Sequence, residues 1–261
     1  MTDIIRPIAA ELAQFEAFFK KTLHADTEPM DSIMHYVLDT QGKRLRPILV
    51  LLSAKLFGEP NEQTQRAATF VEMLHSATII HDDVVDDANQ RRGKSSVKAR
   101  FGNLSAVLAG DYLLAKAMLL LSNPDDHAIL QEMLSTTAAM SEGELMQTIV
   151  ADCVSQSEKT TQYLDIITRK TALLMRSCCA VGALSVNATP EQVKQIADFG
   201  LNFGILFQLR DDILDGENTA KAQTLLPEYL QKTLDSLMVF PASETLEALR
   251  DLTVFCAERE E

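Results

Sequence analysis

Four carboxylates lie within six consecutive positions of the chain, at Asp82, Asp83, Asp86 and Asp87. Apolar residues precede them at helical spacing, which predicts that the aspartates lie at the C-terminal end of a helix. On a helix, Asp82 and Asp86 are one turn apart and Asp83 lies beside them. Carboxylates that share one face repel each other, and in a cleft they require cations. Hard oxygen ligands that leave room for water and substrate oxygens are those that Mg²⁺ prefers.

A string of this kind is, taken alone, also typical of a solvated helix end. A second copy of the motif favours a metal site over a solvated helix end. Asp211, Asp212 and Asp215 repeat the spacing of Asp82, Asp83 and Asp86, again at the end of an apolar segment. Two such helices that face each other would place six carboxylates around one cavity, as helix bundles do with metal ligands.

Basic residues accompany the acidic groups. Arg91, Arg92 and Lys94 follow the first group closely, and the stretch Lys43-Arg44-Leu45-Arg46-Pro47 precedes a predicted helix. Pro47 suits the first turn of that helix. Helix N-termini favour phosphate, and lysine or arginine beside one strengthens the preference; the alternative is an ordinary basic helix cap. Acidic groups for a metal beside basic groups for an anion are typical of a metal-bridged phosphate site.

These motifs, in this order, resemble those of the trans-polyprenyl diphosphate synthases, the head-to-tail prenyltransferases. The two aspartate groups resemble the two aspartate-rich motifs of that family, and the segment Gly42-Lys43-Arg44-Leu45-Arg46-Pro47 resembles its basic motif. The resemblance extends over nearly the whole chain. Further matching positions are His75, the Arg91-Arg92-Gly93 ending of the first motif, Arg169-Lys170-Thr171-Ala172 and Gln208.

The resemblance implies roles for individual side chains. The isopentenyl diphosphate would be bound by Lys43, Arg46, His75 and Arg92. The allylic diphosphate would be bound by Arg91, Lys170, Thr171 and Gln208. Catalysis would depend on Asp82, Asp83, Asp86, Lys170, Asp211 and Asp212. Once a diphosphate is bound, about two to three Mg²⁺ ions would be held by Asp82, Asp83, Asp86, Asp211, Asp212 and Asp215.

The composition favours helices throughout. The chain has 261 residues, 46% of them hydrophobic, with only ten glycines and eight prolines. We predict an all-α fold, a single domain over residues 1–261, and we find no strand signal, no linker and no low-complexity segment. The resemblance adds that the helices form an isoprenoid-synthase-type bundle around a deep central cavity. The net charge of −13 argues against a sequence-independent nucleic-acid surface.

Targeting and redox signals are sparse. Asp3 and Glu11 interrupt what would be the apolar region of a signal peptide, and no uninterrupted stretch is long enough to span a membrane. The four cysteines show no metal-type spacing, so a reduced cytoplasm is expected; they are Cys153, Cys178, Cys179 and Cys256. The resemblance implies a homodimer, with transient membrane contact when the product is released.

The motifs disagree with three other classes of protein. A class I terpene cyclase also carries an aspartate-rich motif but needs no isopentenyl site, which disagrees with the basic stretch before Pro47. A non-catalytic partner subunit on the same fold disagrees with the intact aspartates of both motifs. A helical scaffold with fortuitous motifs disagrees with their number and order.

The length of the product is predicted from the residues just before the first motif. Thr78 lies four residues before Asp82 and Ala77 five, and both side chains are small. In the resembled family, members that stop at short products tend to carry an aromatic at one of these positions. We therefore predict a long-chain polyprenyl product of the kind used for quinone side chains, with geranylgeranyl diphosphate as the alternative.

One departure from the family pattern follows the second motif. The segment after Gly216 resembles the family's C-terminal helix pair directly, so a block of about three helices, roughly 40–60 residues, is absent between Asp215 and Gly216. We hypothesise that the natural protein contains this block. The alternative is a truncated, inactive relative. Because such a block normally carries further diphosphate-binding lysines, the set of site residues given above would then be incomplete.

Overall fold

The computed structural model describes residues 2–40, 42–150 and 159–260, so Cys153 lies outside the described part. These residues form α-helices and one short β-hairpin. The helices are α1 (Thr2–Ile5), α2 (Ala9–Leu23), α3 (Glu28–Asp39), α4 (Leu45–Phe57), α5 (Glu62–Val85), α6 (Val97–Phe101), α7 (Asn103–Leu120), α8 (His127–Val150), α9 (Lys159–Ile167), α10 (Leu173–Ser185), α11 (Pro190–Asp215), α12 (Thr219–Ser236) and α13 (Glu244–Glu258). The segments Arg6–Ile8 and Pro124–Asp126 are 3₁₀ turns, and Thr168–Ala172 is a π-helical turn between α9 and α10.

The core lies where α4, α5, α10 and α11 pack together. Helix α10 packs against α4, α8 and α11, while α5 packs against α4 and α7. Residues 47–54 of α4 are all buried, which is the pattern of a helix surrounded by protein. Large side chains such as Leu49, Phe70 and Phe199 are fully or almost fully buried in this region. Burial of a side chain of that size stabilises the fold by about 1.5–3 kcal/mol.

The two helices that carry the aspartate motifs have strong N-terminal caps. The Asn61 side chain accepts the backbone N–H groups of α5 in a capping box with Thr64, and Thr189 makes the same arrangement with Gln192 at the start of α11. Both helices then end in carboxylates, where the helix dipole favours cations instead. Acidic side chains at two helix C-termini therefore cost stability unless a cation compensates them.

The structure contradicts the expectation that the chain has no strands. Strand β1 (Gln90–Arg91) pairs antiparallel with β2 (Lys94–Ser95) directly after the first motif. The turn between them consists of Arg92 and Gly93, with φ of 51° and 74°. Two central residues with positive φ are what the commonest two-residue hairpin turn requires. Gly93 suits such a turn, whereas Arg92 has a positive φ at a position that Asn, Asp or Gly usually occupies, so the sequence signal for the hairpin is weak.

Helix α7 is apolar in composition but is buried on one side only. Ala106 and Leu113 are buried within the bundle, whereas Leu104, Leu108 and Leu119 are 76%, 50% and 70% exposed. By length and composition alone, α7 is the one helix of the described residues that could cross a membrane, and 28% of it is buried. One side of α7 thus presents an apolar surface that a single chain leaves uncovered.

Candidate active site

The first aspartate motif ends α5 and is fixed by the hairpin. Asp83 is 2% exposed, and its Oδ1 accepts hydrogen bonds from Nε of Arg91 at 3.0 Å and from Nη2 of Arg91 at 2.6 Å. Asp86 follows as the C-terminal cap of α5 and is exposed. The hairpin therefore folds the basic side chain of Arg91 back onto the carboxylates that precede it in the chain.

Asp82 lies in an environment that disfavours its negative charge. Burial, followed by the charges of Glu144 and Asp86, raises the pKa of Asp82 to about 6, although Lys170 and Arg91 act in the opposite direction. Nearby cations therefore do not fully compensate the carboxylates of this cleft. An added divalent cation would stabilise the ionised form of Asp82.

The second motif ends α11, and two of its carboxylates are held by different kinds of donor. Asp211 is paired with the guanidinium of Arg259, yet burial raises its pKa. Asp212 is 6% exposed and accepts from the Tyr163 hydroxyl at 2.5 Å and from Nε2 of Gln208 at 2.7 Å. Asp215, the last residue of α11, is exposed. The sequence did not indicate Tyr163 or Arg259, because both come from distant elements of the fold.

A cavity of about 500 Å³ brings together all four residues predicted to bind isopentenyl diphosphate, Lys43, Arg46, His75 and Arg92. Arg259 joins them from the end of the chain. Among the described residues, the buried Nε atoms of Arg46 and Arg259 have no hydrogen-bond partner. Buried guanidinium donors without partners are costly, so this cavity is suited to an anion. Its apolar side is formed by Phe207, Leu252 and Phe255.

Arg44 stabilises the basic loop. Its guanidinium hydrogen-bonds to carboxylates and does not donate into the cavity that Lys43 and Arg46 line. Its guanidinium pairs with Glu16 and with the buried Glu72, both at 2.7 Å, and it stacks 4.7 Å from the Phe19 ring. The backbone of Arg44 has the left-handed φ of 58°, which a non-glycine residue adopts only when its surroundings enforce it. The arrangement orients Arg46 at the start of α4.

His75 faces the same cavity as a neutral ring. Burial, reinforced by Arg46 and by Arg92, lowers the pKa of His75 well below its ordinary value. The neutral imidazole can therefore accept a hydrogen bond at Nε2, where Nη1 of Arg46 lies 2.9 Å away. The pair holds the Arg46 guanidinium in place without adding a second positive charge.

A second cavity, of about 470 Å³, lies beneath the first motif. Lys170 and Thr171, two of the four residues predicted to bind the allylic diphosphate, line it together with Asp82 and Thr78. Ala77 is fully buried in the hydrophobic core and does not line this cavity. The apolar part of the wall comes from Leu74, Leu114, Met140 and Leu174.

Lys170 reaches the second cavity from the π-helical turn. Its Nζ lies 2.9 Å from Oε2 of Glu144 and 3.1 Å from Oε1 of Gln147. A Cβ at Gly143 would lie 2.6 Å from Cβ of Arg169, so the glycine lets α8 approach this turn. Glu144 and Gln147 thus contact Lys170 from α8. Single π-helical turns inside α-helices are frequent at functional sites.

The remaining allylic-site residue, Gln208, connects two parts of the site. Thr171 donates from Oγ1 to Oε1 of Gln208 at 2.7 Å, while Nε2 of Gln208 donates to Asp212. Gln208 thus couples the π-helical turn to the second aspartate motif. Arg91, predicted for the same substrate, is engaged with Asp83.

The candidate metal ligands are the carboxylates of the two aspartate motifs. Within residues 2–40, 42–150 and 159–260, no three acidic, histidine or cysteine side chains are grouped closely enough to enclose an ion. Mg²⁺ does not need such a group, because it is usually held by one or two carboxylates together with water and substrate phosphates. The donors present are all hard carboxylate oxygens, and the charge of Asp82 is left in excess, so the residues fit Mg²⁺.

Comparison with known proteins agrees with this geometry. The sequence profile described as polyprenyl synthetase matches residues 27–225, well over half of the chain. The chain belongs to the polyprenyl synthetase family. Prenyl synthases of this family generally use Mg²⁺ and take isopentenyl and allylic diphosphates as substrates.

Relatives of known function are similar over most of this chain. It is 37% identical, over 225 residues, to an all-trans-nonaprenyl-diphosphate synthase of Rhodobacter capsulatus, with 85% of this chain and 67% of the relative covered. It is 35% identical, over 215 residues, to heptaprenyl diphosphate synthase component 2 of Geobacillus stearothermophilus, with 81% of this chain and 66% of the relative covered. The chain therefore spans about two thirds of the length of these relatives.

Solved structures confirm the all-α fold. A polyprenyl synthase from Caulobacter crescentus, determined with calcium and isoprenyl diphosphate, has a TM-score of 0.91 and is 26% identical. The match covers 100% of this chain and 98% of that one. Products named for the relatives matched by sequence range from geranylgeranyl to nonaprenyl diphosphate, so the family alone does not fix the length of a product.

Proposed function

We propose that this chain is a trans-polyprenyl diphosphate synthase that joins isopentenyl diphosphate to an allylic diphosphate. The observation that carries the proposal is the placement of two cavities side by side. One contains the basic residues Lys43, Arg46 and Arg92, and the other contains Asp82 and Lys170. Two diphosphates bound in this way would bring their hydrocarbon parts together beside Arg46 and His75, which line both cavities.

The basic cavity would hold isopentenyl diphosphate. Arg46 offers an unused buried donor, and neutral His75 keeps its guanidinium oriented. Arg259, with its own unused Nε, would contact the same diphosphate. These contacts fix the position of the isopentenyl double bond, and fixed geometry is itself a large part of the acceleration of a reaction between two bound molecules.

The allylic diphosphate would lie beside the two aspartate motifs. Asp82, Asp83, Asp86, Asp211, Asp212 and Asp215 would hold Mg²⁺, which neutralises the negative charge that develops on the departing diphosphate. Lys170 now pairs with Glu144. When the substrate is bound, the Lys170 ammonium would leave Glu144 and contact the negative charge of the diphosphate directly. Departure of pyrophosphate leaves an allylic carbocation, and the isopentenyl π electrons form the new carbon–carbon bond.

The reaction also requires a cavity wall that excludes water and a group that accepts the proton. Leu74, Leu114 and Leu174 line the second cavity and would keep water from capturing the cation. A proton is then lost from the carbon next to the new cationic centre, and its bonding electrons form the new double bond. We assign no side chain to this step and propose that the departed pyrophosphate accepts the proton.

We further propose that the product is a long-chain polyprenyl diphosphate, since Thr78 leaves the cavity open below Asp82. Geranylgeranyl diphosphate is the second candidate, because a synthase of that product is among the relatives. Helix α7 would bury its exposed Leu104, Leu108 and Leu119 in a homodimer. Three thiols, Cys178, Cys179 and Cys256, are free and buried, and we propose a cytoplasmic location.

The deciding experiment uses the purified chain alone, with Mg²⁺, farnesyl diphosphate and radiolabelled isopentenyl diphosphate. Chromatography of the dephosphorylated products should show label in longer prenyl alcohols, and EDTA should abolish the incorporation. A terpene cyclase would consume the allylic diphosphate without using the label. A subunit that needs a partner, as the name heptaprenyl diphosphate synthase component 2 suggests for that relative, would show no turnover alone.

A further inference from the structure

Tyr163 is a buried side chain that the mechanism above does not use. It lies on α9, is 7% exposed, and donates its hydroxyl hydrogen to Oδ2 of Asp212 at 2.5 Å. A tyrosine hydroxyl is ordinarily protonated at neutral pH, so Tyr163 is a neutral donor. The ammonium of Lys221 lies 5.6 Å from the centre of its ring.

Asp212 is held from both sides by neutral donors. Tyr163 donates to Oδ2, and Gln208 donates to Oδ1 from one turn earlier on α11 at 2.7 Å. Each carboxylate oxygen has a second lone pair, so both can still accept a further partner. The two donors therefore restrict rotation of the carboxylate and leave one lone pair on each oxygen that they do not use.

The other carboxylates of the site are not held in this way. Asp83 and Asp211 are paired with arginines, Arg91 and Arg259. A cationic partner competes with a metal ion for the negative charge of the carboxylate, whereas a neutral hydroxyl leaves that charge in place. Hydrogen bonds from neutral groups to metal-binding carboxylates orient them, and their loss typically costs about 10–100-fold in metal affinity.

We propose that Tyr163 is a positioning residue for Mg²⁺, acting through Asp212. The inference rests on the proposed function, because it assumes that Asp212 binds the metal together with a diphosphate. Tyr163 fixes the rotation of the Asp212 carboxylate about its Cβ–Cγ bond. Gln208 links the same carboxylate to Thr171, next to Lys170, so metal binding at Asp212 and the orientation of the π-helical turn are connected.

The test is titration calorimetry of Mg²⁺ into the full chain with saturating inorganic pyrophosphate, comparing wild type with Tyr163→Phe. The phenylalanine keeps the ring and its packing and removes only the hydroxyl. We expect the Mg²⁺ dissociation constant to rise about 10-fold or more. Tyr229→Phe is the matched control, since Tyr229 lies in the same small hydrophobic cluster and has no role in the proposed site.

The Mg²⁺ dependence of the reaction rate is a second measurement, and a purely structural role of Tyr163 would not change it. In Tyr163→Phe, the Mg²⁺ concentration for half-maximal rate should rise, excess Mg²⁺ should restore most of the rate, and the KM for isopentenyl diphosphate should stay unchanged. Equal Mg²⁺ titrations for wild type and Tyr163→Phe would overturn the inference, as would a rate loss that Mg²⁺ does not restore. Failure of the wild type itself to bind Mg²⁺ with pyrophosphate would instead contradict the proposed function.

A second variant keeps the test decisive if Tyr163→Phe unfolds, which circular dichroism melting would reveal. Gln208→Leu removes the donor on the other oxygen of Asp212 and should also raise the Mg²⁺ requirement. If Tyr163→Phe folds, the double variant Tyr163→Phe/Gln208→Leu adds a further check, because two losses that act on one carboxylate should not be additive. Additive losses, or no change in the Mg²⁺ requirement of Gln208→Leu, would count against positioning through Asp212.

Discussion

Arg46 and His75 are joined by a hydrogen bond of 2.9 Å, and both side chains line both cavities. The two come from different helices, α4 and α5, and meet at the boundary between the predicted isopentenyl and allylic sites. Because His75 is neutral, Arg46 supplies the positive charge of the pair. Positions at such a boundary can align two substrates as well as bind one of them.

Arg46→Gln should therefore impair the binding of isopentenyl diphosphate. A hydrogen bond to a charged group contributes about 1.5–3 kcal/mol, so we expect the KM for isopentenyl diphosphate to rise about 10-fold or more. Steady-state kinetics with each substrate varied in turn measures the effect. Arg6→Gln, which removes an exposed arginine paired only loosely with Glu244 at 3.8 Å, is the control. A KM that stays at the wild-type value in Arg46→Gln would remove Arg46 from the site.

Asp82→Asn should stabilise the fold while it lowers activity. The pKa of Asp82 is raised to about 6 by burial and by Glu144, so its ionised form destabilises the folded state. That penalty is fully present above pH 6 and disappears as the pH falls below the ordinary carboxyl pKa; it amounts to at most about 3 kcal/mol. The gain from Asp82→Asn should thus be largest near pH 7.5 and should vanish near pH 4.

Urea unfolding without Mg²⁺, followed by circular dichroism at several pH values, tests this dependence. Asp198→Asn, which changes an exposed carboxylate on the same helix as the second motif, should show no comparable gain. Turnover by Asp82→Asn, and by Asp82→Ala, should fall by orders of magnitude. A nearly wild-type rate in either variant would contradict the assignment of Asp82 to the metal site.

Lys170 and Arg169 are neighbours that should behave differently. Lys170 lines the second cavity, whereas Arg169 pairs with Glu142 and Asp165 away from the cavity wall. Removal of one donor to developing negative charge costs about 100- to 1,000-fold in turnover. Lys170→Gln should show such a loss, measured as kcat with saturating substrates, while Arg169→Gln should not. Equal losses in both variants would indicate a structural role for the whole π-helical turn.

Much of the site could be predicted from the sequence, because its residues lie in short motifs at the ends of helices. Arg46 and His75 line both cavities and Thr171 lines the second, while their roles in binding stay predictions. Tyr163 and Arg259 could not be found in this way, since each reaches its aspartate from an element about 50 residues away. The exposed side of α7 could not be found from the sequence, because apolar composition does not distinguish a core helix from one that is covered on one side only.

The short connection between α11 and α12 leads to a prediction about the natural protein. Helix α11 ends there, Gly216 caps it with a φ of 77°, and α12 begins at Thr219. If the hypothesis of a further helical block is right, the intact mass of the natural protein should exceed 28.9 kDa by the weight of about 40–60 residues. A mass that equals the 261-residue chain would leave the truncated relative as the explanation.

The last prediction concerns the length of the product, and the structure separates its two candidate residues. The Thr78 side chain lines the cavity below Asp82, and its hydroxyl is already bonded to the His75 carbonyl oxygen at 2.9 Å. Ala77 is fully buried in the core. A phenylalanine at position 78 would enter the cavity, whereas one at position 77 must first displace packed neighbours, which typically costs about 1–3 kcal/mol.

Thr78→Phe should therefore shorten the products made from a geranyl primer, because an aromatic ring fills the space that the growing chain must enter next. Ala77→Phe should also shorten them, but with a lower melting temperature than Thr78→Phe. Thr78→Val, which keeps the volume and removes the hydroxyl, is the control and should leave the product distribution unchanged. Chromatography of the dephosphorylated products measures the distribution. If both phenylalanine variants make the wild-type products, neither position faces the growing chain, and the floor must be formed by other residues.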